Sequence, residues 1–224
     1  QVAHQTAVDH FGFLTNLALV LSSENTAREL HRQVEDIIVS DAVYENACKA
    51  LQAFGNDLPE NHPISVPAAV SYFIVSWLGR SGHAGTTADQ SGMSPRWKTT
   101  GGSAVVRWRS AVDSVPTWHQ ILKNWQIIRG CAIAAAWKIE DKDGTVILAD
   151  PPYWQKAFKY RYDFRTSISD SANVMERKFG DHGRLAEALN RFEKTKVVVC
   201  YYDVPELNEM YPKKKWRRVV ISAA

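Results

Sequence analysis

The first part of the chain sets apolar stripes against polar breaks at a helical period. Phe13, Leu17, Leu19, Val20 and Leu21 form one stripe, Ala27 to Val34 carry a second, and Ala42 to Phe54 a third. That spacing predicts amphipathic helices over residues 11 to 55. Ser22-Ser23-Glu24-Asn25 separates the first two, and Asp41 is a candidate N-cap for the third, because a short side-chain oxygen accepts from the open amides of a first turn. Gly55-Asn56-Asp57 and Pro59-Glu60 mark a loop. Pro67 then opens a helix through Trp77 and Leu78, since a missing N–H is no loss at a first helical position.

The pattern changes from Gly79 to Arg109. Glycines at 79, 82, 85, 92, 101 and 102 alternate with Ser and Thr, and Arg80, His83, Arg96, Lys98, Arg107 and Arg109 are interleaved with Trp97 and Trp108, against the single acid Asp89. The stretch reads as a basic loop with the makings of a nucleic-acid surface: glycines permit close backbone approach, cations neutralise phosphates and indoles stack on bases. The competing expectation is a solvated loop whose tryptophans anchor a core.

Beyond it the period shifts to that of an α/β chain. Trp118–Lys123 reads as a helix, Trp125–Arg129 as a strand, Ala132–Ile139 as a helix and Val146–Ala149 as a strand. Asp181–Asn190 then reads as a capped helix and Lys196–Tyr202 as a strand. Strand, helix, strand within so short a span predicts a βαβ unit with a right-handed crossover, and the repeat of the theme predicts a parallel sheet. The unbroken apolar run Val146-Ile147-Leu148 predicts a strand covered on both faces.

Composition narrows the class without deciding it. The 224 residues are 45% hydrophobic and 23% charged, which suits a globular domain with a real core. A net charge of +3 is weak evidence for nucleic acid, so the distribution of charge along the chain carries that expectation. Cys48, Cys131 and Cys200 are odd in number and far apart, which argues against a disulfide framework and a zinc site and for a reducing, cytoplasmic setting. The seven histidines show no ligand spacing, so no metal is expected. No apolar run is long enough for a membrane span, and Gln1-Val2-Ala3-His4-Gln5 is unlike a signal peptide.

The chemistry concentrates where the run Thr145–Ala149 ends in Asp150-Pro151-Pro152-Tyr153. Ligands of open α/β sheets sit beyond the carboxyl ends of the strands. Prolines fix φ and remove donors, which leaves the carbonyls of Asp150 and Pro151 as rigid acceptors. A carboxylate and a carbonyl match the two N–H donors of an exocyclic amine, and Tyr153 supplies a face for its ring.

This tetrapeptide resembles the signature of the N6-adenine-specific DNA methyltransferases. Other segments are similar to one branch of that family, common in phages and prophages: Ser76–Arg80, Gly82–Thr86, Gly101-Gly102-Ser103 with Arg107-Trp108-Arg109, Asp181-His182 with Leu185–Leu189, and Val198–Asp203. The resemblance implies a Rossmann-like S-adenosylmethionine-dependent sheet, incomplete here, with a mainly helical and loop DNA-recognition insert. Residues 1–55 would be the N-terminal helical part of the catalytic domain, 56–117 the insert and 118–224 the catalytic half. It assigns catalysis to Asp150, Pro151, Pro152 and Tyr153, and cofactor contacts to Asp9, Cys131 and Asp150. Double-stranded DNA would be held by Arg80, His83, Arg96, Lys98, Arg107 and Arg109, with the target adenine flipped into the site. Tyr202 and Asp203 would shape the pocket, Tyr201 is as well suited to the core, and His182 suits a helix start better than a base.

The chain departs from the family at two places. The Phe-x-Gly-x-Gly loop that closes the family's first strand does not occur, so Thr6–Asp9 would be the tail of the second strand and Asp9 the ribose ligand or a plain N-cap. Cys131 stands where relatives place an aspartate against the cofactor adenine. The expectation is therefore a fragment lacking at least a strand and a helix at its start, with Val219–Ile221 opening a strand near its end. The run Lys213–Arg218 suits a solvated edge better than a phosphate contact. Two alternatives stay open: amino methylation of another group such as cytosine N4, and a non-catalytic DNA-binding remnant.

Overall fold

In a computed structural model, residues 4–55, 57–79, 92–93, 103–154, 164 and 170–221 are described. They form a mixed α/β chain in two compact units that divide between Gly130 and Cys131.

The first unit is a helical bundle with one small ladder. Helices α1 (Gly12–Ser22), α2 (Glu24–Glu35), α3 (Asp41–Gln52), α4 (Val66–Leu78) and α5 (Ala104–Leu122) accompany strands β1 (Gln5–Asp9) and β2 (Trp125–Arg129). The helical period reads through directly: Val20, Leu30, Val34, Phe73, Trp108 and Val115 meet in one core with Leu21, Tyr44, Ala69 and Leu78. Burial of such side chains stabilises by about 1.5–3 kcal/mol each. Helices α4 and α5, which belong to the expected insert, share this core with α1, α2 and α3. Ser40, not Asp41, caps α3, its hydroxyl accepting from the Val43 amide. Asp41 instead takes the first helical position, where its charge faces the positive end of the helix dipole. Ser65 caps α4, and Pro67 lies in its first turn.

Helix α5 corrects the basic-loop reading at its end. Arg107, Trp108 and Arg109 are helical, behind an N-cap at Ser103 that accepts from the Val106 amide. Glycine and serine density concealed the helix start, and Pro116, which would be expected to end a helix, lies inside it. The stripe Trp108, Ala111, Val112 and Val115 is buried through that position, so packing outweighs the lost amide. Trp108 is a core anchor, 5.4 Å from Phe73 in edge-to-face contact.

The second unit holds α6 (Ala132–Lys138), β3 (Val146–Ala149), α7 (Val174–Asn190), β4 (Lys196–Val199) and α8 (Leu207–Met210). Its core joins Ile133 and Ala136 of α6 to Leu185, Ala188 and Leu189 of α7, with Ile147, Ala149, Val197 and Val199 of the strands against them. Helix α7 begins well before Asp181, capped by Asn173 through the Glu176 amide. It bends at Gly180, whose φ of 56° lies in the left-handed region. The segment from Asp181 therefore restarts after the bend, which is why the sequence marks it as a separate helix.

Both ladders are parallel, as the α/β pattern predicts, but each has two strands: β1 pairs with β2, and β3 with β4. Gln5 faces Trp125 and Asp9 faces Arg129 in the first; Val146 faces Lys196 and Ala149 faces Val199 in the second. The two strands of the expected βαβ unit, β2 and β3, belong to different units. Among the described residues of its own unit, β3 is covered on one face. Ile147 and Ala149 pack inward, whereas Val146 and Leu148 are 69% and 71% exposed. An unbroken apolar run cannot reveal which alternate positions find a partner. Val219–Ile221 forms no strand and is exposed.

Candidate functional site

The signature stands just past the last rung of the β3–β4 ladder. The Cys200 amide donates to the Ala149 carbonyl at 2.9 Å, so Asp150 is the first residue beyond the paired strand. Because the strands are parallel, the segments after Ala149 and after Val199 leave at the same end. Asp150 is exposed, Pro151 is buried, and Pro152 and Tyr153 are half-buried. Among the described residues the Asp150 carboxylate carries no hydrogen bond or ion pair. The Tyr153 ring meets Tyr202 edge to face at 4.6 Å and Tyr201 at 6.5 Å. Tyr202 is 57% exposed, so an acidic group and an aromatic wall share one open strand end. Asp203 is engaged by the Arg218 guanidinium.

Behind this wall lies an aromatic cage that sequence reading passed over. Trp154 is buried between Phe179, at 5.7 Å, and His182, at 5.1 Å. His182 is fully buried, and its Nδ1 lies 2.9 Å from the Tyr201 hydroxyl. Burial pushes the imidazole pKa down to about 4, against the opposing pull of the Asp181 carboxylate. Burial likewise raises the Tyr201 phenol, with the neighbouring Tyr211 adding to the effect. His182 is thus neutral at ordinary pH and sits inside the cage, not at the open site. Lys215 and Arg218 of the basic run, both exposed, reach the Asn190 carbonyl and Asp203.

In the first unit, Asp9 ends β1 and is exposed, one carboxylate oxygen accepting from the Phe11 amide at 2.7 Å. Phe11, not Asp9, is the N-cap residue of α1, so the Asp9 contact closes a local turn and does not cap the helix. Nearby, Asp57 is a buried carboxylate, accepting from the amides of Gly12, Phe13 and Leu58 at 2.8, 3.1 and 2.8 Å. Arg129, at the end of β2, pairs with it at 2.9 Å and donates to the carbonyls of Leu58 and Pro59. A Cβ on Gly12 would lie 2.6 Å from that guanidinium. Asp57 and Arg129 fasten the start of α1 to the tip of β2. Neither stood out in the sequence, because a pair 72 residues apart has no local signature.

Cys131 is exposed and precedes α6 as its N-cap residue without a side-chain cap bond. Arg107 is half-buried and Arg109 exposed on α5. Arg109 borders a hollow of about 520 Å³ with Val106, Ser110, Asp113, Ser114 and Thr117. Arg80, His83, Arg96 and Lys98 lie outside the described residues. A second hollow, of about 660 Å³, is bordered by Trp137, Glu187, Arg191 and Glu209; neither hollow touches Asp150 to Tyr153.

Among the described residues no group of three or more His, Cys, Asp and Glu side chains could hold a metal, and no helix is long and apolar enough to cross a membrane. No protein-family model matches the chain, and no curated protein matches it.

Proposed function

We propose that the chain carries the amine-binding half of an S-adenosylmethionine-dependent methyltransferase acting on the N6 amine of adenine in DNA. One observation carries the reading: an open carboxylate, Asp150, and the Tyr153 ring emerge together past the last rung of a parallel ladder. Strand ends of parallel sheets are where α/β proteins bind ligands.

The residues would act by positioning and electrostatics. Tyr153 stacks on a base swung out of the duplex, an extrusion that costs a few kcal/mol. The Asp150 carboxylate and the Pro151 carbonyl accept the two amine hydrogens, which aims the nitrogen lone pair outward. As the new N–C bond forms, positive charge grows on that nitrogen and Asp150 stabilises it. The methylated amine then releases one proton to solvent water. The cofactor supplies an electrophilic methyl group on a sulfonium, whose sulfur keeps the electron pair of the broken S–C bond.

The cofactor residues fit in part. Asp9 is exposed at the end of a parallel strand, suited to ribose hydroxyls, with one oxygen already committed to Phe11. Cys131 offers a thiol, a weak hydrogen-bonding group, in place of a carboxylate. Arg109 on α5 supports DNA contact, while Asp113 beside it opposes phosphate.

The test is transfer of a labelled methyl group to adenine-containing duplex DNA, using the 224-residue chain and the chain with whatever reading frame precedes residue 1. Labelled N6-methyladenine is expected, and Asp150→Ala should abolish transfer with DNA affinity kept. Substantial methylation by the Asp150→Ala variant would overturn the reading. Product on cytosine would move the activity to cytosine N4. DNA binding with no cofactor heat in calorimetry from either form would favour a non-catalytic DNA-binding protein.

A further inference from the structure

We propose that His182 is a positioning residue for the Tyr153 ring, acting through the hydroxyl of Tyr201. The proposal builds on the reading of Tyr153 as a base-stacking platform, and its test separates the two.

The imidazole is out of place by ordinary packing rules. It is 0% exposed, with Trp154 and Phe164 edge-on, each at 5.1 Å, and Tyr201 at 5.8 Å. Its Nε2 is buried with no hydrogen-bond partner among the described residues, and a buried polar atom left unpaired costs stability. A phenylalanine would fill an aromatic cage without that penalty. What histidine adds is one polar contact, Nδ1 to the Tyr201 hydroxyl at 2.9 Å.

That contact fixes a ring in the wall of the site. Tyr201 and Tyr202 follow β4, and both meet Tyr153, which follows β3. A tyrosine has few side-chain torsions, so anchoring the far end of Tyr201 holds its ring plane. Tyr153, tilted 48° against Tyr201 and 68° against Tyr202, is then confined between two rings, one of them pinned from behind. The cage reaches the same place through the chain, because Trp154 is covalently next to Tyr153 and packs on His182. A stacking surface held in place before the base arrives loses less freedom on binding.

The experiment compares the whole chain with His182→Phe, His182→Asn and Tyr201→Phe. NMR of labelled tyrosine rings reads Tyr153 without any ligand. Its ring signals should shift in His182→Phe and Tyr201→Phe and return toward wild type in His182→Asn, whose amide replaces Nδ1. A single-stranded oligonucleotide with one 2-aminopurine then reads stacking. Its affinity should fall about fivefold in the first two variants and stay within about twofold in His182→Asn, a partial loss of one base–aromatic stack. Tyr201→Phe removes one hydroxyl from an intact ring, so it decides the matter even where His182→Phe fails to fold. Unmoved Tyr153 signals in folded Tyr201→Phe overturn the proposal. Moved signals in a chain whose wild type ignores the oligonucleotide uphold the positioning role and remove the base-stacking reading.

Discussion

Acidification from about pH 7 to about pH 5 should weaken the second unit through one side chain, His182. Its folded pKa is about 4, lowered by burial, against about 6.5 in the unfolded chain. Between those values the unfolded state binds more protons, so stability rises with pH. The contribution is fully present above about pH 6.5 and is lost as the pH falls through about 4. Two-state linkage with these values gives a loss of about 2 kcal/mol between pH 7 and 5, approaching about 3 kcal/mol at lower pH. The assay is urea unfolding followed by tryptophan fluorescence, to which Trp154, 5.1 Å from the imidazole, contributes directly. His182→Asn serves as the reference, because asparagine does not titrate and the other histidines are common to both proteins. The wild type should lose about 2 kcal/mol more than the variant over this window, with m values unchanged. Parallel pH profiles would refute the burial argument.

Other side chains give equally direct expectations. Asp57→Ala should destabilise the first unit by about 3 kcal/mol in urea unfolding, because it removes the carboxylate that pairs the half-buried Arg129 and strands three amides. Gly183→Ala should destabilise by about 2 kcal/mol, reversing the usual helical gain from alanine, since a Cβ there would lie 2.2 Å from the Met175 carbonyl oxygen; unchanged or raised thermal stability would count against the close approach. The Asp141 carboxyl is held down to about 2 by the amides of Thr195, Glu193 and Lys194. Its stabilising effect is therefore present above the unfolded value near about 4 and is lost as pH falls through about 2, so an acid titration of Asp141→Asn by circular dichroism should be flatter there than wild type. Asp150→Ala should leave this folding behaviour intact while removing methyl transfer, as measured with labelled cofactor.

Strands and helices with strong local signals were legible in the sequence. Trp125–Arg129 and Val146–Ala149 have the expected bounds, because turn residues flank short β-branched runs. Pro67 marks the start of α4 for a similarly local reason. The failures lie where tertiary contacts decide. The N-terminal half of α5 hides behind glycines and runs through Pro116, and the exposed face of β3 depends on what packs there. At the site, Asp150 and Tyr153 were legible as chemistry. The cage of Trp154, Phe164 and His182 was not, since its members come together through the bend at Gly180 and not through spacing.

The turn before β3 does more than end a loop. Asp141 gathers the amides of Glu193, Lys194 and Thr195, and so clamps the start of one strand to the start of its neighbour. Parallel strands have no hairpin to set their alignment, and a slip by one residue turns every side chain to the opposite face. Asp141 therefore works as an alignment mark at the far end of the ladder. Lengthening that turn by one residue would be read out as Ala149 standing where Asp150 meets solvent. The chemistry of the strand tip is encoded partly at its base.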